Sequence, residues 1–355
     1  MSDGEHSENR RAFIRRGAGG AALIAAGAVT GVMLRQRSSR NAQERGPQGQ
    51  TIPGSGYDLE ALAKVDPDLI SYRRSNLFET GFQAARGLFL AADGDVLVAG
   101  DDGFRRFSAE GEEKAAERIG APAHALWQDA EGDIWLASDK RVFHFPADGG
   151  TVGRWVPPYE GEHGRITSIA VSRGEVFLAV EDRRRGSVWR CPMDFSGAEL
   201  LFEPNPEAGI LPIIAPSPYI DLGITEEGNV LVGNLGQRQV QLFSPKGDLL
   251  AVWGRSSFAI DGFCGCCNPV TVAALPDGRV VTGEKGLKRV KIYRTSGDLD
   301  TVVAAPSEFT SSALAGEPDP IKLKGLDVAV SADNSVYVLD QTDGTVHVMM
   351  PLENG

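Results

Sequence analysis

The chain is 355 residues long and carries 36 Lys and Arg against 48 Asp and Glu, a formal charge of −12. So acidic a balance excludes a protein built to neutralise nucleic-acid phosphates, since its one dense basic run, Arg183 to Arg185, sits beside Glu181 and Asp182 and reads as a solvated loop. The 43 Gly and 20 Pro are spread along the chain, which predicts short strands and tight turns rather than long helices, and 4 Cys are too few for a disulfide-built scaffold.

The run Asn9-Arg10-Arg11-Ala12-Phe13-Ile14-Arg15 opens the chain. It resembles a twin-arginine export signal, with Arg10, Arg11 and Phe13 at the signature positions. Residues 17 to 34 that follow are uncharged and rich in Gly and Ala, with arginines on both sides. Such a stretch reads as an N-terminal apolar signal or anchor helix over residues 1 to 35. No Ala-x-Ala-like site follows it, so a cleaved leader and a retained anchor both stand. The resemblance implies export, a periplasmic location and possible membrane anchoring. Residues 36 to 68, rich in Arg, Gln, Ser, Gly and Pro, read as a flexible linker.

From residue 69 to 355 the chain repeats one pattern six times: an apolar strand, a turn carrying Gly or Asn, then a second alternating strand. The turn residues are Gly94, Gly132, Gly174, Gly228, Gly278 and Asn334, each expected at positive φ. Their offsets are 38, 42, 54, 50 and 56 residues. Third strands are predicted at Gly103 to Phe107, Arg141 to Phe145, Val240 to Phe243, Val290 to Tyr293 and Val346 to Val348. Units of three or four strands at this spacing predict an all-β, six-bladed β-propeller. The last unit runs out of chain, and Ile70 to Glu79 is predicted to supply its missing strand and close the ring.

The unit from Gly228 to Phe243, with Gly247 and Trp253-Gly254 beyond, resembles the NHL repeat. The later units match it more loosely, and the first three only in outline. The resemblance implies an NHL-like propeller, an architecture that serves many functions.

In a propeller the residues just before each innermost strand converge on one mouth of the central channel. They are Arg86, His124, Arg165, Tyr219, Asn268 and Lys324, with Asp101, Asp139, Asn234, Glu284 and Asp340 in the loops after the second strands. The run Cys264-Gly265-Cys266-Cys267 falls in the same region, between the fourth and fifth blades. Cys264, Cys266 and Cys267, with His124 and His163, are the candidate ligands of a thiolate-bound transition metal: copper, zinc or an iron-sulfur centre. A structural disulfide with one spare thiol is equally open, because export delivers the chain to an oxidising compartment. Cys191 reads as a lone buried residue.

The function these features point to is a binding or redox-associated module, taking a protein partner or small ligand at the channel face, without nucleic acid. A rival follows from resemblance to the gluconolactonase group, in which a divalent cation such as calcium sits at the channel mouth of a lactonase or esterase. Asn234 and Asp340 would supply two of its ligands, although Ala84-Ala85-Arg86 offers no carboxylate in the first blade. A pure interaction scaffold is the third reading.

Overall fold

The computed structural model describes residues 58–150, 152–156, 164–309 and 325–352. The twin-arginine stretch with Arg10, Arg11 and Phe13, the apolar run after it, His163 and Lys324 lie outside the described residues. Residues 62–355 form one unit, and the described residues 58–61 belong to another. No helix among the described residues is long and apolar enough to cross a membrane.

Six antiparallel sheets make up the described fold, five running in chain order from the innermost strand outward and the sixth built from the first described strand and the last three. The innermost strands are Gly87–Leu90, Ala125–Gln128, Arg165–Ser172, Leu222–Ile224, Thr271–Ala274 and Leu326–Val330. The all-β six-bladed propeller expected from the repeats is therefore present. Third strands occupy Gly103–Phe107, Arg141–Phe145 and Val290–Tyr293, the spans read from sequence, with small extensions at Gln239–Phe243 and Thr345–Pro351.

The turn chemistry explains why the repeat was visible. Gly94, Gly132, Gly174, Gly228 and Gly278 have φ between 77° and 90°, and Asn334 has φ 65°. A two-stranded connection that needs a left-handed residue takes Gly or Asn at little cost. The second strands are buried on both faces, as in Val96–Ala99 and Val336–Asp340, because neighbouring blades cover them from either side.

Ring closure follows the prediction. Tyr72–Glu79 pairs antiparallel with Thr345–Pro351 as the outermost strand of the sixth blade, Tyr72 opposite Pro351 and Glu79 opposite Thr345. Phe78 packs there against Phe107 of the first blade, ring centroids 5.6 Å apart, among Phe82, Val96 and Val346. The first and last described strands thus share one sheet and one core cluster, which removes the exposed edges an open array would leave.

Candidate functional site at the channel mouth

Two cavities meet along the central channel. The mouth where the innermost strands begin holds one of about 160 Å³, lined by Arg86, His124, Arg165, Tyr219, Asp221 and Asp327 among others. The opposite cavity, about 180 Å³, is walled by Leu88, Leu90, Trp127, Ile224 and Val330 and is mostly aliphatic and aromatic. Asp221 and Asp327 line both, so they form the floor that divides a charged mouth from an apolar base.

Position along the strand puts these carboxylates there. Asp221, Thr271 and Asp327 each stand seven residues before a turn residue, Gly228, Gly278 and Asn334, and so occupy equivalent places in blades four, five and six. Innermost strands diverge around a channel and leave backbone N–H groups without a strand partner. The carboxylates take up several of them: Val272 N donates to Asp221 Oδ2 at 2.8 Å, and Leu88 N donates to Asp327 Oδ2 at 2.7 Å. Ser168 Oγ donates to Asp221 Oδ1 at 2.8 Å. Five of the six blades are thereby tied together at the floor.

Thr271 Oγ1 lies 2.9 Å from Asp221 Oδ2 and 2.8 Å from Asp327 Oδ1, and accepts from Val328 N at 3.3 Å. A hydroxyl has one proton and two lone pairs. It can donate to only one carboxylate, so the other must be a carboxylic acid that donates to it. Asp221 collects more donors and is the better anion. Burial, and then the charge of Asp221, push Asp327 up to about 8. Burial also raises Asp221. The pair holds one proton between them at neutral pH, in the order Asp327 to Thr271 to Asp221.

Above this floor the mouth is cationic. Arg86 and Arg165 have no ion-pair partner among the described residues, and the Nε of Arg86 is buried without a hydrogen bond. Both act on the same neighbours. Burial lowers the His124 imidazole, with Arg165 and Arg86 reinforcing it against the hydrogen bond to Asp139, so His124 is neutral at pH 7. Its Nε2 lies 3.0 Å from Asp139 Oδ1. Burial raises the Tyr219 phenol, with the two arginines opposing.

The cysteine run is divided rather than convergent. The peptide before Pro269 is cis, and Asn268 is buried, its Nδ2 donating to the carbonyls of Cys264 at 2.7 Å and Lys285 at 3.2 Å. Asn268 therefore braces the loop instead of lining the mouth. Cys264 turns inward, its N–H donating to Glu284 Oε2 at 3.2 Å, and burial followed by the Glu284 charge pushes its thiol up to about 11. Cys266 is exposed and Cys267 buried, with their Sγ atoms 3.2 Å apart, beyond the about 2.05 Å of a disulfide. Lys285 connects this pair to the mouth, its ammonium 5.2 Å from the Tyr219 ring and within electrostatic reach of both thiols. The three cysteines proposed from sequence as ligands thus stand as a close pair, Cys266 and Cys267, and a buried single, Cys264. Among the described residues no cysteine is bonded to another, and no three His, Cys, Asp or Glu side chains are grouped to hold a metal.

Glu284 belongs to a fully buried ion cluster. Its Oε1 is 2.8 Å from Lys291 Nζ and its Oε2 2.9 Å from Arg289 Nη2. Burial pushes the Glu284 carboxyl up, yet the two cations outweigh it and hold it below its ordinary value. Lys291 also donates to the carbonyls of Gly262 at 2.7 Å and Ile260 at 3.1 Å, which fastens the cysteine loop to the fifth blade. Asp340 is likewise buried, its Oδ1 accepting from Lys288 Nζ at 2.5 Å, so a cation there would have to displace an ammonium. Asn234 Nδ2 donates to the carbonyl of Pro212 and to Gln241 Oε1, each at 3.3 Å. Each of these two side chains keeps one buried oxygen without a partner, and neither lines the mouth cavity. His144 stacks on Trp135 with centroids 4.3 Å apart, and His347 is buried in its third strand. Cys191 is a lone buried thiol, pushed up to about 12 by burial.

Sequence reasoning found Arg86, His124, Arg165 and Tyr219 but missed Asp221 and Asp327. Their signal was available: an acidic residue at the same offset from the turn in two units, inside an otherwise apolar strand start.

No protein-family model and no curated protein matches the chain. Solved structures do. A protein of unknown function from Bacteroides thetaiotaomicron aligns at 12% identity over 79% of this chain and 75% of its own, with a TM-score of 0.57. A luciferin-regenerating enzyme aligns at 9% identity, covering 79% and 95%, with a TM-score of 0.54. A gluconolactonase from Xanthomonas campestris aligns at 12% identity, covering 77% and 88%, with a TM-score of 0.52. At such identities the likeness establishes the six-bladed propeller fold and stops there.

Proposed function

We propose that the protein is an exported, NHL-like binding propeller whose working face is the channel mouth bearing Arg86, His124, Arg165 and Tyr219. The observation that carries this reading is the contrast between the two ends of one channel: charged and polar side chains gather at one mouth, and apolar side chains line the other. Convergent polar groups in a concave site are the usual mark of ligand recognition. The test is native mass spectrometry of protein recovered from the periplasm, beside a Tyr219→Trp variant that fills the mouth. A co-purifying molecule lost from the variant supports the reading; identical ligand-free spectra, with no ligand recovered from metabolite extracts, sink it. Replacing Arg10 and Arg11 together by Lys should leave the protein in the cytoplasm, as export behind a twin-arginine signal requires.

A second reading rests on the 3.2 Å separation of Cys266 Sγ and Cys267 Sγ. Two adjacent thiols at the rim suit a soft metal such as copper or zinc, or a reversible two-electron thiol–disulfide couple. Elemental analysis of exported protein, with Cys266→Ser and Cys267→Ser as controls, separates these uses from inert thiols. The lactonase alternative requires cation-dependent ester or lactone hydrolysis that is lost in Asn234→Ala and Asp340→Ala.

A further inference from the structure

We infer that the ligand of the channel mouth is a small organic anion, with its carboxylate held between the guanidinium groups of Arg86 and Arg165. This rests on the reading of the mouth as a binding face and adds the chemical class. Three observations carry it. The first is charge: two arginines face one cavity without an ion-pair partner among the described residues, in a chain of net charge −12 in which the partly buried Arg106, Arg190 and Arg279 are each salt-bridged. A desolvated cation left without a counter-charge is costly, and a bound carboxylate or phosphate supplies the missing partner. The second is the orphaned donor: Arg86 Nε is buried and makes no hydrogen bond. Guanidinium N–H groups are strong, planar donors that match carboxylate oxygens two at a time. The third is the state of the nearby titratable groups.

His124 is held neutral, so it can accept or donate a hydrogen bond without adding charge. Asp139 lies outward on His124 with 66% of its side chain exposed, and therefore leaves the arginines free. The floor pair Asp221 and Asp327 keeps one proton, which halves the negative charge that would otherwise repel an anion from below. With one carboxylate remaining, an anionic head group is favoured at the arginine rim and its uncharged portion toward the Tyr219 ring and the floor. A volume of about 160 Å³ is smaller than the roughly 300–1,000 Å³ of pockets for drug-sized ligands. That favours a short organic acid over a nucleotide.

The experiment uses the full chain and calorimetric titration with succinate, inorganic phosphate and the neutral isostere succinamide. Saturable binding of succinate is expected, weakening with added salt, with no binding of succinamide. Arg86→Gln and Arg165→Gln should each weaken succinate at least roughly tenfold, the scale of one charge-assisted contact, while an unchanged unfolding midpoint without ligand shows that the variants fold. Phosphate binding as tightly as succinate, with the same dependence on both arginines, would keep the anion class and move the head group from carboxylate to phosphate. Equal binding of succinamide, indifference to both substitutions, or no uptake of either anion at millimolar concentration would overturn the inference. If a neutral molecule co-purifies and is displaced by Tyr219→Trp but not by Arg86→Gln, the mouth remains the binding face and the anion class alone falls.

Discussion

Burial and the charge of Asp221 push the Asp327 carboxyl up to about 8 in the folded chain, against about 3.9 in an unfolded one. Between those values the folded state keeps a proton that the unfolded chain has released. The raised value therefore contributes stability fully present below the unfolded pKa and lost as pH rises through the folded one. Asp327→Asn keeps a donor toward Thr271 and an acceptor for Leu88 N while removing the titration. Its stability relative to the parent should rise between about pH 4 and about pH 8, measured by urea denaturation at each pH; a constant difference would argue against the shared proton. The cysteines make a second prediction at this scale. Only Cys266 is exposed, and burial raises the other three thiols. Brief maleimide treatment of reduced native protein near neutral pH should add one label, located on Cys266 by peptide mapping, because reaction needs an accessible thiolate. Comparable labelling of Cys264 would show that its loop opens readily.

Among the elements, the loop from residue 255 to 268 is held by side chains of the fifth blade as well as by its own Asn268. It contains no strand of its own and is fastened by Lys291, whose ammonium reaches Glu284 and the carbonyls of Ile260 and Gly262 from a fully buried position. Tyr293 adds a hydrogen bond from its hydroxyl to the carbonyl of Asp261 at 3.3 Å. Removing one partner of a buried pair leaves charge and carbonyl oxygens uncompensated, at a cost of about 3–5 kcal/mol. Lys291→Met, which preserves the aliphatic bulk, should destabilise the protein by about 3 kcal/mol in urea denaturation and increase labelling of Cys264. Arg294→Met is the contrast: Arg294 is 63% exposed and pairs with Asp300 at 2.8 Å, an interaction worth under about 1 kcal/mol. Equal losses in the two variants would mean that the buried cluster is not what holds the loop.

At the level of the whole molecule, stability turns on closing the ring. Tyr72–Glu79 is the first described strand and completes the sixth blade. Phe78 carries its contact with the first blade through Phe107 and the surrounding cluster. Phe78→Ala should cost about 3–5 kcal/mol, as large-to-small changes in a packed aromatic core do. Because the closing strand joins the last blade to the first, the expected result is one cooperative transition at lower denaturant. A new early transition with the main one unmoved would show instead that the strand peels away alone.

Blade number, turn positions and the source of the closing strand were legible in the chain because they depend on local chemistry repeated six times. A left-handed turn selects Gly or Asn, and a buried second strand selects β-branched side chains, whatever surrounds them. Arg86, His124, Arg165 and Tyr219 could be placed at the mouth for the same reason, since each stands eight or nine residues before the turn residue of its blade. The partners of those side chains were not legible. Asp221 and Asp327 share a proton because strands 106 residues apart in the chain bring them to one hydroxyl. The cysteines divide because Glu284 and Asn268 draw Cys264 inward while Cys266 stays at the surface. Repetition is written along the chain, but charge, burial and protonation are set by neighbours distant in sequence, and only the closed ring brings those neighbours together.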